Sequence, residues 1–131
     1  MRLTLRQGQF LENPFVGVVT VLRPDGSPHS TVVWVDVDDD GVSFNTAWPR
    51  AKPRYLAADP RVSLVVVDPR DELRWLALTG TATLVDEGAN EQIDHLARKY
   101  RGHDRYRSHK EGETRVSVRI SPTWVESRGL G

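Results

Sequence analysis

Short runs of β-branched and other apolar residues, separated by turn sequences, make up most of the chain. Runs of this length and composition are typical of β-strands. The six strands that they predict cover residues 15–23, 29–37, 42–47, 61–68, 73–86 and 114–126. Turn sequences at 24–27 and 38–41 join the first three strands, which predicts that these three strands form an antiparallel meander.

Two of the predicted strands carry additional information about packing. Residues 61–68 are apolar almost throughout, which predicts a strand that is buried on both faces. Gly80 lies inside the long strand 73–86. A glycine in the interior of a strand indicates a bulge, a bend or the close approach of another backbone segment.

Helical patterns are confined to three segments. The clearest covers residues 87–101, where apolar side chains recur at helical spacing. A short helix is predicted over residues 4–12 with Thr4 as its cap, and another over roughly 50–58. Six strands and two or three short helices predict one mostly β domain over residues 1–131. The number and spacing of the strands suit a small closed barrel.

Composition excludes several classes of protein. The 131 residues include 18 Lys+Arg and 18 Asp+Glu, and this zero net charge disfavours a dedicated nucleic-acid-binding protein. The absence of cysteine excludes disulfides, thiolate metal sites and cysteine nucleophiles. No apolar stretch is long enough to span a membrane, and the first residues lack the apolar core of a signal peptide. The expectation is a cytoplasmic protein with neither a nucleic-acid nor a membrane partner.

Common catalytic and metal-binding patterns are absent. The four histidines are His29, His95, His103 and His109, and none has a partner at metal-ligand spacing, so no metal site is predicted. His29 begins a strand and would edge a pocket, whereas the other three are expected to be solvated. The sequence contains neither a GxSxG nucleophile motif nor a P-loop.

Three cations, Arg50, Lys52 and Arg54, lie within five residues at the end of a predicted strand and the start of a helix. They have two interpretations, solvation of a helix surface or the binding of an anion. Because the N-terminal end of a helix is already positive, cations placed there do not stabilise the helix. The cluster therefore favours a bound anion such as a phosphate. Asn45 and Thr46, at the end of the preceding strand, would donate further hydrogen bonds.

Three tryptophans lie in or near the same part of the pattern. Trp34 is in the second strand, Trp48 lies two residues before Arg50 and Trp75 lies near the start of the long strand. Single tryptophans are usually core or interface residues. Their placement around the cation cluster would also suit a flat aromatic ligand.

Three segments carry a resemblance to a known family. They are LRPDGSPHSTVVWV, FNTAWPRAKPRYLAADPRVSLVV and WLALTGTATLVD, and together they resemble the flavin-type split β-barrels related to pyridoxamine 5′-phosphate oxidase. The similarity runs in order over nearly the whole chain. The string PRAKPRYLAADPR is most similar to the actinobacterial branch of coenzyme F420-dependent enzymes, the deazaflavin-dependent reductases of the B type. The resemblance implies a six-stranded antiparallel split barrel that forms a homodimer with a cofactor at each subunit interface.

The resemblance also assigns expected roles to individual residues. By position, Arg50 and Lys52 would hold the cofactor phosphate, and Asn45 and Thr46 would border that phosphate or the ribityl chain. The residues implied to lie beneath the deazaflavin ring are His29, Thr31, Val32 and Val33.

Further residues are implied at the periphery of the cofactor. Trp75 would reach the groove from the partner subunit. The charged loop 102–113 would contact the polyglutamate tail of F420 through Arg105 and Arg107.

The activity implied by the resemblance is an F420-dependent oxidoreductase. It would transfer a hydride between the reduced deazaflavin and an unsaturated small molecule, with the protein supplying binding and orientation. No residue is assigned as catalytic. Two alternatives stay open. One is an FMN-dependent oxidase or reductase on the same barrel, because FMN binds this fold through similar cations. The other is an F420-binding or carrier protein without turnover.

Overall fold

The computed structural model describes residues 2–131 as three helices and seven strands. In chain order they are α1 (Leu5–Glu12), β1 (Gly17–Leu22), β2 (Pro28–Val33), β3 (Val35–Asp38), β4 (Gly41–Trp48), α2 (Ala51–Ala58), β5 (Arg61–Asp68), β6 (Asp71–Val85), α3 (Ala89–Arg101) and β7 (Thr114–Arg128). None of the helices within this range is both long and apolar enough to cross a membrane.

All seven strands belong to one antiparallel sheet in the order β2-β1-β5-β6-β7-β4-β3. The two edge strands, β2 and β3, follow each other in the chain and are separated by Trp34 alone. Because one residue joins the two edges, the sheet has to curl until they approach each other. The result is a half-barrel, not the small closed barrel that the strand spacing suggested, whereas the prediction of a mostly β, antiparallel fold is confirmed.

The count of six strands was wrong because the segment 29–37 forms two strands. Val33 pairs with Gly17 of β1, whereas Val35 pairs with Phe44 of β4, so the pairing partner changes at Trp34. The predicted meander was accordingly right about which segments pair and wrong about its shape. The middle segment pairs with its two neighbours at opposite edges of the sheet.

The core fills the concave side of the curled sheet. Its largest fully buried side chains include Phe44, Leu64, Leu76 and Leu78. Helix α1 adds Phe10 and Leu11 to this core.

The prediction that Thr4 caps α1 is confirmed. Thr4 caps α1 through a reciprocal capping box with Gln7. The backbone N–H of Gln7 donates to Thr4 Oγ1 at 3.1 Å, and the N–H of Thr4 donates to Gln7 Oε1 at 2.9 Å. Two otherwise unsatisfied donors at the start of the helix are thereby paired.

Strand β5 is buried on one face only, which corrects the prediction of two buried faces. Val62, Leu64 and Val66 are buried, whereas Val65 and Val67 are each 41% exposed in the single chain. Alternate residues of a strand point to opposite sides of the sheet. The apolar residues of the second face therefore lie on the convex side of the half-barrel.

These residues belong to a larger exposed apolar surface. Val18 of β1 pairs with Val65 of β5 on one side and with Val32 of β2 on the other. We call this surface the outer face; its members are Val16, Val18, Val32, Val65 and Val67, all exposed in the single chain. Contiguous apolar surface of this kind is typical of an interaction site.

Gly80 meets the expectation of a bulge and a close backbone approach. The register of β6 against β7 shifts between Thr79 and Gly80. A Cβ atom added at Gly80 would lie 2.1 Å from the carbonyl oxygen of Ser121. No other residue type fits at this position without moving β7.

Candidate functional site

A cavity of about 180 Å³ lies beside the Trp34 break, between β4, the start of α2 and helix α3. Six of the nine predicted site residues line it: Val32, Val33, Asn45, Thr46, Arg50 and Lys52. The other lining residues are Trp34, Ile93, Leu96, Tyr106 and Arg115. One side of the cavity is therefore cationic and another is apolar and aromatic.

The remaining three predicted residues do not line this cavity. His29 and Thr31 lie on β2 with Val33, but the His29 ring packs edge-on against Tyr55 with centroids 5.6 Å apart. Trp75 lies on β6, where it pairs with Val67 of β5, and it does not line the cavity. Within one chain, the structure thus separates Trp75 from the cations.

A larger cavity, of about 520 Å³, lies between α1 and the turn that joins β3 to β4. Its lining includes the acidic run Asp38, Asp39 and Asp40, together with Arg2, and none of the predicted site residues. Size alone therefore does not identify the site. The smaller cavity is the one that brings the predicted cations together.

Arg50 is paired with an acidic residue from a distant segment. It precedes the first residue of α2, and its Nη2 donates to Glu113 Oε1 at 2.7 Å while its Nε donates to Glu113 Oε2. The hydrogen bond from Arg50 lowers the pKa of the Glu113 carboxyl, although partial burial acts in the opposite direction. The charge of Arg50 is thus largely compensated within the protein.

Lys52 lies in the first turn of α2 with no such partner. Within residues 2–131, no hydrogen bond or salt bridge links its ammonium group to another residue. Burial lowers the pKa of Lys52, and the positive charges of Arg50 and Arg115 lower it further. A bound anion would offset both effects, because an opposite charge favours the ionised form.

Arg115 is a further cation of the site, and sequence reasoning missed it. Its side chain is almost completely buried, with 5% of the residue exposed. Its Nε donates to Asn45 Oδ1 at 2.8 Å, and its guanidinium lies over the Tyr106 ring, 5.1 Å from the centroid. Burial lowers the pKa of Arg115. Arg115 Nη1 and Thr46 Oγ1 are both buried without a hydrogen-bond partner among the described residues.

Asn45 is held from behind by helix α3. Its Nδ2 donates to the carbonyl of Ala89 at 2.8 Å and to Gln92 Oε1 at 3.0 Å. Gln92 also bonds Ser43 and Ser117, which lie on neighbouring strands. Both the nitrogen and the oxygen of the Asn45 side-chain amide are therefore hydrogen-bonded within the protein. The oxygen accepts from Arg115.

The charged loop 102–113 packs against the cavity through one aromatic residue. The N–H of Tyr106 donates to Asp94 Oδ1 at 2.8 Å, and its ring meets Trp34 edge-on with centroids 6.2 Å apart. Arg105 and Arg107, the residues expected to contact a polyglutamate tail, are exposed on either side of Tyr106. That expected contact stays a prediction.

The family model for pyridoxamine 5′-phosphate oxidase matches residues 4–129. The chain belongs to this family. A search among curated proteins returns no significant match. The family assignment confirms the resemblance drawn from the sequence and the split-barrel superfamily that it implied.

Solved structures extend the assignment to individual relatives. A protein named F420 reductase is 26% identical, with a TM-score of 0.77, over 90% of this chain and 94% of that one. The conserved hypothetical protein Rv2991 from Mycobacterium tuberculosis is 24% identical, with a TM-score of 0.77, over 99% and 86% of the two chains. HutZ, named as the heme storage protein from Vibrio cholerae, is 14% identical, with a TM-score of 0.69, over 100% and 98%. The last two similarities show the fold alone.

Proposed function

We propose that the protein is a coenzyme F420-dependent oxidoreductase that transfers a hydride between the reduced deazaflavin and an unsaturated small molecule. The observation that carries the proposal is the cationic cavity beside β2, in a chain 26% identical to an F420 reductase over 90% of its length. When bound, the deazaflavin supplies the hydride chemistry. The chain's own residues bind it, orient it and exclude water.

The cavity fits the phosphate of such a cofactor. Among residues 2–131, the ammonium group of Lys52 is unpaired, and two buried donors, Arg115 Nη1 and Thr46 Oγ1, have no partner. Buried polar groups are almost always hydrogen-bonded. A phosphate oxygen would supply the acceptors that these donors lack. The backbone N–H groups of the first turn of α2 add to the positive potential.

The cavity of one chain is too small for a complete cofactor. Its volume of about 180 Å³ lies below the roughly 300–1,000 Å³ of ordinary ligand pockets. The ring would therefore extend from the phosphate along β2 towards Val32, which is 65% exposed. A second wall is needed to cover it.

A second copy of the chain would provide that wall. We propose a homodimer in which the outer face, which includes Val18 and Val65, packs against the partner. Trp75 pairs with Val67 of this face. The partner subunit's Trp75 would in this way approach the cofactor ring, as the sequence resemblance implies.

An FMN-dependent oxidase or reductase is the second candidate. Two unpaired cations, Lys52 and Arg115, would complement a dianionic phosphate monoester such as that of FMN. A cofactor-binding protein without turnover is the alternative from a different class.

A parallel fluorescence titration of the purified protein with F420 and with FMN tests the proposal. We expect tight binding of F420 and weak binding of FMN. Reduced F420 would then be supplied together with a panel of enones, quinones and tetrapyrroles. Tight FMN binding with no F420 binding would move the protein to the FMN branch. Binding of F420 without oxidation of reduced F420 by any compound would support the carrier alternative.

A further inference from the structure

Two of the three buried side-chain polar atoms that lack a partner among residues 2–131 belong to residues that line one cavity. Among residues 2–131, three buried side-chain polar atoms have none: Thr31 Oγ1, Thr46 Oγ1 and Arg115 Nη1. The last two belong to residues that line the 180 Å³ cavity. Leaving a buried charged donor without a partner is costly. Because both residues line the same cavity, we infer a ligand there that accepts from both.

The charges around the cavity are not equivalent. Glu113 engages two nitrogens of Arg50 and compensates its charge. Lys52 and Arg115 have no acidic partner among the described residues. Two positive charges therefore remain for a ligand, and one of them belongs to a residue outside the Arg50-Lys52-Arg54 cluster.

We propose that Arg115, together with Lys52 and Thr46, binds the cofactor phosphate, and that Asn45 positions Arg115 instead of contacting the ligand. The inference deepens the proposed function and rests on it in taking the anion to be a cofactor phosphate. It reassigns Asn45, which the sequence resemblance had placed beside the phosphate or the ribityl chain.

The hydrogen-bond geometry explains the division of roles. Nε of Arg115 donates a hydrogen bond to Asn45, and the Tyr106 ring covers one face of the guanidinium group. Together these two contacts fix the plane of the guanidinium. Nη1 has no partner among the described residues, and Arg115 lines the cavity. The amide of Asn45 is itself fixed by the Ala89 carbonyl and by Gln92. A fixed guanidinium with a free nitrogen is suited to a phosphate oxygen.

The test compares ligands that differ only by the phosphate-bearing group. The two pairs are FMN with riboflavin, and F420 with the deazaflavin that keeps the ribityl chain but lacks the phosphate and the tail attached to it. The variants are Arg115→Met and Arg115→Lys. Arg119→Met is the matched control because Arg119 lies on the same strand but is partly exposed and faces Asp38. We expect Arg115→Met to weaken binding of the phosphate-bearing member roughly tenfold to a hundredfold. Binding of the phosphate-free member should not change.

Arg115→Lys keeps the charge and much of the volume, so it serves if Arg115→Met does not fold. Because a lysine lacks the planar fork and the Nε bond to Asn45, we expect a smaller, phosphate-specific loss. Asn45→Ala tests the positioning role. In the wild-type protein, Asn45→Ala should weaken binding of the phosphate-bearing ligand. In the Arg115→Met protein, it should cause no further loss of affinity. A purely structural role for Asn45 would weaken both members of each pair.

The outcomes separate this inference from the proposed cofactor. If only the FMN pair binds and shows the Arg115 effect, the F420 proposal fails and the phosphate site stands. If F420 binds equally to wild type and both Arg115 variants, the F420 proposal stands and the phosphate site is overturned. If neither cofactor binds, inorganic phosphate serves as the probe of the phosphate site. The measurement is the shift in melting temperature with millimolar inorganic phosphate, compared with chloride at equal ionic strength. Equal shifts for wild type and Arg115→Met would also overturn it.

Discussion

The indole ring of Trp34 stacks on the phenol ring of Tyr100, with ring centroids 5.5 Å apart and planes inclined by 8°. Trp34 is the residue at which the two edges of the curled sheet meet. The Tyr100 hydroxyl accepts from the N–H of Val35 at 2.9 Å and donates to the carbonyl of Phe15 at 2.8 Å. The Tyr100 side chain of α3 therefore supplies hydrogen-bond partners to the backbone at the point where the strand pairing changes. This point lies beside the cavity.

We predict that Tyr100→Phe destabilises the protein by roughly 1–3 kcal/mol, because it leaves a backbone donor and an acceptor in a part-buried position without their partner. The ring stack on Trp34 is retained, so the loss reports the hydroxyl alone. The measurement is the free energy of unfolding from urea titration. Tyr55→Phe is the matched control, since no hydrogen bond of the Tyr55 hydroxyl is found within residues 2–131. Equal unfolding free energies for the two variants would contradict the prediction.

Lys99 gives the protein a pH dependence with a defined sign. Its ammonium group donates to the carbonyls of Leu11 and Val35, each at 2.7 Å. Burial lowers the pKa of Lys99 to about 8, although the carboxylates of Asp36 and Glu12 act in the opposite direction. The unfolded chain has the ordinary lysine pKa of roughly 10.4. The folded state therefore binds the proton less tightly than the unfolded state.

The stability that depends on Lys99 is consequently present above pH ~10.4 and is lost as the pH falls to about 8. We predict that the free energy of unfolding of the wild type rises across this window by about 1–3 kcal/mol relative to Lys99→Met. Urea titrations at several pH values measure this difference. Lys110→Met removes an exposed lysine and should keep the wild-type pH dependence. Parallel curves for the wild type and Lys99→Met would refute the assignment.

Local sequence patterns predicted most of the elements because alternation, turn residues and caps act over a few neighbouring residues. Helix α3 and strand β5 lie within two residues of their predicted bounds. The break at Trp34 could not be predicted in this way. It arises because Val33 and Val35 pair with strands at opposite edges of the sheet, and that pairing depends on the curl of the whole sheet.

The residues of the candidate site likewise fall into those that the sequence predicted and those that it could not. Arg50 and Lys52 are two residues apart in sequence, so their cluster and the family motif could both be read from the chain. Glu113 and Arg115 come from segments 63 and 70 residues away from their partners Arg50 and Asn45. Only the register of β4 against β7 brings them together, and no spacing in the sequence encodes it.

We predict that Gly80→Ala is strongly destabilising. The added Cβ would lie 2.1 Å from the carbonyl oxygen of Ser121, which is backbone and cannot turn away. Forced overpacking of this kind costs roughly 1–3 kcal/mol or more. Urea titration measures the loss, and Gly8→Ala is the control because a Cβ at Gly8 meets no atom within 4 Å. A Gly80→Ala protein as stable as the wild type would show that β7 moves freely at the bulge.

We predict that Lys52→Ala weakens cofactor binding by roughly 1.5–3 kcal/mol, the range for hydrogen bonds to charged groups. Lys52 lines the cavity without an internal partner, so its removal costs the protein no ion pair. The measurement is the dissociation constant of F420 or of FMN by fluorescence titration. Arg54→Ala removes one positive charge from the same helix, but Arg54 is exposed and does not line the cavity. Equal losses for both variants would mean that only net charge matters.

The proposed dimer predicts that Val18→Asp makes the protein monomeric. Val18 lies between Val32 and Val65 at the centre of the outer face. A charge there would be buried without a partner if a second copy packed on it. In a single chain Val18 is already 45% exposed, so the folded monomer should tolerate the change. Sedimentation velocity would measure the mass in solution, and circular dichroism would check the fold.

The same variant should lose affinity for the cofactor, because the second wall over the ring comes from the partner subunit in this proposal. Thr83→Asp is the matched control, since Thr83 is an exposed, β-branched strand residue outside the outer face. It should remain a dimer with wild-type affinity. A Val18→Asp protein that becomes monomeric but binds F420 or FMN as tightly as the wild type would confine the cofactor site to one chain. A wild type that sediments as a monomer would exclude the dimer altogether.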